Sequence, residues 1–145
     1  MRRALTVLAV SVLTSSTVLL APAGAASAVA EGLTVTARSA TLNAAGASVT
    51  VAGTYSCGPF TTGVPDRGVI DMTVTQSAGG VVVNGYGYLE PTACDGAAHR
   101  YAVAVTTSGG QRFRRGPAQW SASGYVEGDG GLQHGFVPPT AIRIR

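Results

Sequence analysis

The chain has 145 residues, 46% of them hydrophobic and only 12% charged, with 20 glycines and two cysteines. That length suits one small domain, and the low charge with many β-branched residues argues against a disordered chain. The formal net charge of +3 belongs largely to the first residues: from Glu31 onward eight arginines face seven carboxylates, a near-neutral balance that gives no reason to expect a nucleic-acid partner.

The chain opens Met1-Arg2-Arg3 and carries no charge from Ala4 to Leu20, where Leu5, Val7, Leu8, Val10, Val12, Leu13, Val18, Leu19 and Leu20 form an apolar stretch. Pro22 ends any helix there, having no N–H and a ring that clashes with the preceding turn. The small-residue run Ala23 to Ala30 offers several A-x-A frames. This layout predicts a secretory signal peptide over residues 1–30, cleaved after Ala28 or Ala30. A retained anchor would need about 20 predominantly apolar residues, and Thr6, Ser11, Thr14, Ser15, Ser16 and Thr17 dilute the stretch. With no cysteine next to the apolar stretch for lipid attachment and no second apolar span, the expectation is an extracellular domain of residues 31–145 without a membrane anchor.

Cys57 and Cys94 are the only cysteines, and in an oxidising compartment they are expected to form a disulfide. A bridge of that span contributes roughly 4 kcal/mol in the chain-entropy picture, a large share of a small domain's stability.

After the signal, apolar and polar residues alternate with the period of half-buried strands. Leu33, Val35 and Ala37 oppose Thr34, Thr36 and Arg38. From Ser48 to Cys57, the side chains of Val49, Val51, Tyr55 and Cys57 point inward. Val69 to Gln76 buries Ile70, Met72 and Val74, and Ser77-Ala78-Gly79-Gly80 turns the chain into a return strand, Val81 to Leu89. Asn84-Gly85 within that strand is a candidate competing hairpin turn or bulge. Tyr101, Val103 and Val105 follow the Cys94-Asp95-Gly96 turn, and after Ser108-Gly109-Gly110 a further strand puts Trp120, Ala122, Gly124 and Val126 on one face. A Gly-rich loop, Gly128 to Gly131, precedes a last short strand ending in Ile142 and Ile144. About seven strands without a helix after Leu20 predict an all-β fold, an immunoglobulin-like antiparallel β-sandwich. The antibody-type signature is missing, because the single Trp follows the second Cys.

The segments Gly53-Thr54-Tyr55-Ser56-Cys57, Cys94-Asp95-Gly96 with His99, and Phe113-Arg114-Arg115-Gly116-Pro117-Ala118 resemble a group of small secreted actinobacterial proteins of uncharacterised function. That resemblance implies a secreted β-sandwich with paired cysteines and implies no activity.

Candidate chemistry is sparse. Cys57, Cys94, His99 and His134 form a Cys₂His₂ inventory, but neither pair has the close spacing of a zinc site, so no metal or other cofactor is expected. No G-x-S-x-G elbow is present, and no catalytic residue is assigned. A small hydrolase would have to use His99 or His134 as its base. Glu90 with Asp95 and Glu127 with Asp129 are the carboxylate pairs close in sequence, and turn chemistry accounts for Asp95-Gly96 and Asp129-Gly130. A protease inhibitor would present Pro59 to Gly68 or Gln111 to Pro117 as its loop. The expected role is a non-catalytic binding or interaction module, with a cell-wall polysaccharide or another secreted protein as partner. Tyr86 and Tyr88 on one side of a strand, Tyr125 opposite the Trp120 face, and Arg112, Arg114 and Arg115 around Phe113 are its candidate surface.

Overall fold

The computed structural model describes residues 32–145; the signal peptide expected over residues 1–30 lies outside them. Seven strands follow one another: β1 (Thr34–Leu42), β2 (Ser48–Ser56), β3 (Arg67–Ala78), β4 (Val81–Leu89), β5 (His99–Thr107), β6 (Gly116–Gly128) and β7 (Gly131–Ile144). The fold is all-β, but the strands do not divide into two packed sheets. They form one closed barrel in the order β1-β2-β5-β4-β3-β6-β7, which corrects the expected immunoglobulin-like sandwich. Two features join what alternation alone leaves separate. The β3–β4 hairpin stays paired along its full length, from Ile70↔Leu89 to Ala78↔Val81. The circle then closes where β1 runs parallel to β7 at Ala40↔Ile144, with backbone bonds from Arg145 N–H to Ala40 O (3.0 Å) and from Leu42 N–H to Arg145 O (2.9 Å).

The last strand is also longer than its sequence suggests. Pro138 and Pro139 interrupt its pattern, yet β7 pairs with β6 from Gly116↔Ile144 to Gly128↔Gly131. The prolines fall where the β6–β7 register slips between Trp120 and Ala122. They lie along the sparsely bonded seam with β1, where their missing N–H groups cost little. The expected Gly128–Gly131 loop is therefore the tip of a tight hairpin.

Alternation correctly assigns most inward faces. Val49, Val51 and Tyr55, then Ile70, Met72 and Val74, then Tyr101, Val103 and Val105, and Trp120, Ala122 and Val126 are all buried. In β1 the register slips between Ala37 and Ser39, so Ala40 takes the buried place that continued alternation from Leu33, Val35 and Ala37 would deny it. A one-residue bulge inverts the pattern beyond it. The Tyr101 hydroxyl donates to the Thr36 carbonyl beside the bulge at 2.9 Å.

A small closed barrel is filled by its own side chains, and here each end is closed by a phenylalanine. Phe60, 4% exposed, covers one end; Phe113, 2% exposed, covers the other. Both depend on glycine. A Cβ on Gly85 would stand 2.8 Å from Phe113 Cζ, and one on Gly128 would stand 2.6 Å from Phe60 Cδ2. Asn84-Gly85 is therefore neither a hairpin turn nor a bulge: Gly85 stays in the ladder opposite Val74 and makes room for a ring.

Cys57 and Cys94 are joined in a disulfide with Cα atoms 4.6 Å apart. It lies at the Phe60 end, where Phe60 N–H donates to Cys94 O, Cys94 N–H to Gly63 O and Gly96 N–H to Cys57 O. The bridge thus fastens the end of β2 to the β4–β5 loop.

Two outcomes are expected. Gly85→Ala should destabilise the barrel by about 1–3 kcal/mol through overpacking, and the double variant Gly85→Ala/Phe113→Leu should recover part of that loss in urea denaturation; equal losses would show that the ring does not fill the glycine's space. Burial raises the Tyr101 phenol to about 12 from its ordinary 10.0. The unfolded chain then releases this proton more readily, so the stabilisation is complete below pH 10.0 and is lost as pH rises toward about 12. A pH series of melting temperatures should accordingly show Tyr101→Phe losing less stability over that window than the parent protein.

Candidate binding surfaces

With its interior filled, the barrel can meet a ligand only on its outer wall and at its ends. The aromatic residues divide cleanly between core and wall. Tyr55, Phe60, Tyr101, Phe113 and Trp120 are buried. The remaining tyrosines and phenylalanine, Tyr86, Tyr88, Tyr125 and Phe136, all face outward on β4, β6 and β7, which with β3 make one wall. Register fixes this, because residues directly opposite one another share a face. Tyr88 pairs with Asp71, Asp71 with Ser123, and Ser123 with Phe136. One row away, Val69 pairs with Tyr125 and Tyr125 with His134, whose rings lie 6.5 Å apart at their centroids. Tyr86 occupies the row on the other side, opposite Thr73. Tyr86 is 61%, Tyr88 66% and Phe136 58% exposed.

This wall carries a shallow depression of about 540 Å³ bounded by Val69, Asp71, Ser123, Tyr125, His134 and Phe136. A second, of about 570 Å³, adjoins it on the β4–β5 side around Tyr86, Tyr88, Glu90 and Thr106. The opposite wall, β1-β2-β5, is different: Thr34 and Ser56, then Thr36 and Thr54, make hydroxyl pairs, beside Ala102 and Ala104. Tyr86, Tyr88 and Tyr125 thus share one surface. Phe136 and His134 complete it, and sequence reading passed over both as wall residues because the extent of β7 was hidden.

Arg112, Arg114 and Arg115 do not join that wall. They lie in the loop between β5 and β6, at the barrel end that Phe113 closes. The loop is anchored by Phe113 N–H to Gly46 O at 2.8 Å and by Gln76, which is buried. The Gln76 amide donates to Arg114 O (2.8 Å) and Pro117 O (3.3 Å) and accepts from Arg114 N–H (2.8 Å).

The other sequence candidates belong to the disulfide end. Asp95 Oδ1 accepts from Ala97 N–H at 2.9 Å and meets His99 Nε2 at 2.7 Å, beside the Tyr55 ring. Those bonds, the one from His99 first and then Ala97 N–H, hold the Asp95 carboxyl below its ordinary range. Both Asp129 oxygens accept from Thr61 N–H at 3.0 Å, and hydrogen bonding by the Thr61 side chain and backbone lowers that carboxyl too. Glu127 accepts from Arg67 Nε at 2.6 Å. Each of these carboxylates fastens a turn or a strand end. The disulfide occupies both thiols of the Cys₂His₂ inventory, His99 stands at the Asp95 turn, and His134 stands on the aromatic wall. Among the described residues no three His, Cys, Asp or Glu converge as a metal site, and no helix is long and apolar enough to cross a membrane. The chain matches no protein-family model, no curated relative and no solved structure.

Gln76→Leu leaves the Arg114 N–H without its buried partner. It should cost about 2–3 kcal/mol in denaturant and speed hydrogen exchange at the Arg114 amide. Unchanged exchange there would show that Gln76 does not hold the loop.

Proposed function

We propose that the protein is a secreted, non-catalytic binding module that holds a neutral polysaccharide against its β4-β3-β6-β7 wall. The observation that carries this reading is that every tyrosine and phenylalanine outside the core stands on that one wall. Aromatic rings offer flat apolar faces to the carbon-bound hydrogens of a sugar ring. Asp71 and Ser123, between Tyr88 and Phe136, supply an acceptor and a hydroxyl for sugar hydroxyls. Rows on β4 and β6 are about 10 Å apart, two strand spacings, so the surface suits a chain molecule lying across the strands better than one small ligand. Stacking sites on regular strands are held in place before binding, which keeps the ordering cost low. The basic charge and apolar stretch of residues 1–30 support secretion, and the disulfide fits an oxidising compartment.

A hydrolase has less support. The His99–Asp95 pair is spent within one turn, and among the described residues neither His99 nor His134 has a hydrogen bond to a serine hydroxyl. An inhibitor is also less well supported, since Phe60 and Phe113, in the two candidate loops, are buried.

Titration calorimetry of the purified protein with a panel of neutral glucans, xylans and chitin oligomers tests the reading. At least one should bind, and Tyr88→Ala and Phe136→Ala should each weaken it about tenfold, or about 1.4 kcal/mol, with unchanged melting temperatures. Binding that survives both substitutions, or no binding across the panel, would refute it.

A further inference from the structure

Charge is unevenly distributed along the barrel axis, with Arg67 and Arg100 near the disulfide end and Arg38 and Asp71 within strands. Arg112, Arg114 and Arg115 in the β5–β6 loop, with Arg143 and Arg145 at the end of β7, gather at the Phe113 end. Asp66, Glu90, Asp95, Glu127 and Asp129 lie at the disulfide end, in or beside the β2–β3, β4–β5 and β6–β7 connections. Among the described residues the Arg67–Glu127 ion pair and the hydrogen-bonded His99–Asp95 pair belong to that acidic end. None of the five arginines at the basic end is in an ion pair. Of their guanidinium groups, only that of Arg112 is hydrogen-bonded within the described chain, to Ala45 O at 3.0 Å.

Two of these arginines, Arg112 and Arg114, line a groove of about 700 Å³ together with Leu42, Val81, Val83, Phe113, Gln76 and Gln111. Gln76 has no donor left for a ligand, because both its N–H groups are taken up by Arg114 O and Pro117 O. A ligand here meets two guanidinium groups above an apolar floor, with Gln111 as the other exposed polar side chain of the lining. The charge of such a site favours a chain bearing regular anions. Arg112 and Arg114 both line the groove while Phe113 between them is buried, the alternation of an extended segment. Two residues apart in the chain, their backbone positions are at most about 7 Å apart. Adjacent phosphates joined through a three-carbon polyol are within reach of two such side chains at once, and each guanidinium fork can take two oxygens of one phosphate.

We propose that the basic end is a second binding site, independent of the aromatic wall, for a linear polymer of phosphodiester-linked polyol units. Calorimetry with poly(glycerol phosphate), polygalacturonate and a neutral glucan tests it. Poly(glycerol phosphate) should bind, with affinity falling about tenfold or more as salt rises from about 50 to about 200 mM. The double variant Arg112→Gln/Arg114→Gln should lose about tenfold in affinity at low salt, consistent with the loss of charge-assisted phosphate contacts, while circular dichroism stays unchanged. That variant should keep any binding of neutral glycan, and Tyr88→Ala/Phe136→Ala should keep binding of the phosphate polymer, so the two sites fail separately. Equal affinity for polygalacturonate would overturn the phosphodiester assignment, and salt-insensitive or absent binding would overturn the site. If sedimentation of the protein alone shows self-association that the arginine variant abolishes, the basic end receives the acidic end of a second copy and the proposal falls.

Discussion

A sheet of seven strands closed on itself has little interior, and the need to fill that interior while sealing both openings shapes the rest of this molecule. The inward rows supply Val, Ile, Met and one Trp, with Ala40, Ala118 and Ala122 where a larger group would overfill the space. The openings need something different, because strand alternation puts nothing there. Phe60 and Phe113 come from loops and lie across the ends, and Gly128 and Gly85 give up their side chains so that the rings can seat. The loops therefore belong to the core. Their backbone is correspondingly tied down, by the disulfide and its neighbouring backbone bonds at one end and by Gln76 and Gly46 at the other.

The weakest part of the circle is the seam between β1 and β7. It is held by the bridge Gly32↔His134 near one end and by Ala40↔Ile144 near the other, with Pro138 and Pro139 in β7 between. Most other neighbouring strands share long ladders. Closure by so few bonds is adequate because the ladder on the far side of each seam strand, β1–β2 or β6–β7, already fixes its position. The bulge in β1 and the register slip in β6–β7 both lie beside this seam, where local twist brings the first and last strands together.

These features explain how much of the molecule is readable from its residues. The period-two pattern finds the strands and most of their faces, since Val49, Ile70, Val103 and Trp120 need only their own neighbours to be assigned. It cannot show closure, because which strands pair is decided by contacts between distant segments; β2 beside β5 and β3 beside β6 leave no local mark. The seam is harder still to read, because two isolated bridges and two prolines look like the edge of an open sheet. Tyr86 and Tyr88 are legible as outward residues from alternation alone. Their union with Tyr125 and Phe136 depends on register across three strands, and the uneven charge along the axis depends on knowing which loops share an end.

The two outer surfaces differ in how the fold holds them. The aromatic wall consists of regular ladder positions, so its rings inherit their spacing from the strands and need no further support. The basic end stands on a loop, and a loop bearing Arg112, Arg114 and Arg115 would ordinarily spread its charges into solvent. It is kept in place because Phe113, within the same four residues, is required inside the barrel, and because Gln76 takes both backbone groups of Arg114. The residue that seals the core therefore also fixes the arginines on either side of it. The opposite end uses the same device with the opposite charge, Phe60 being followed by Thr61, whose N–H holds Asp129. The uneven distribution of charge along the axis thus follows from which side chains surround two structural plugs, and among the described residues only Arg112 of the arginines at the Phe113 end has a guanidinium hydrogen bond.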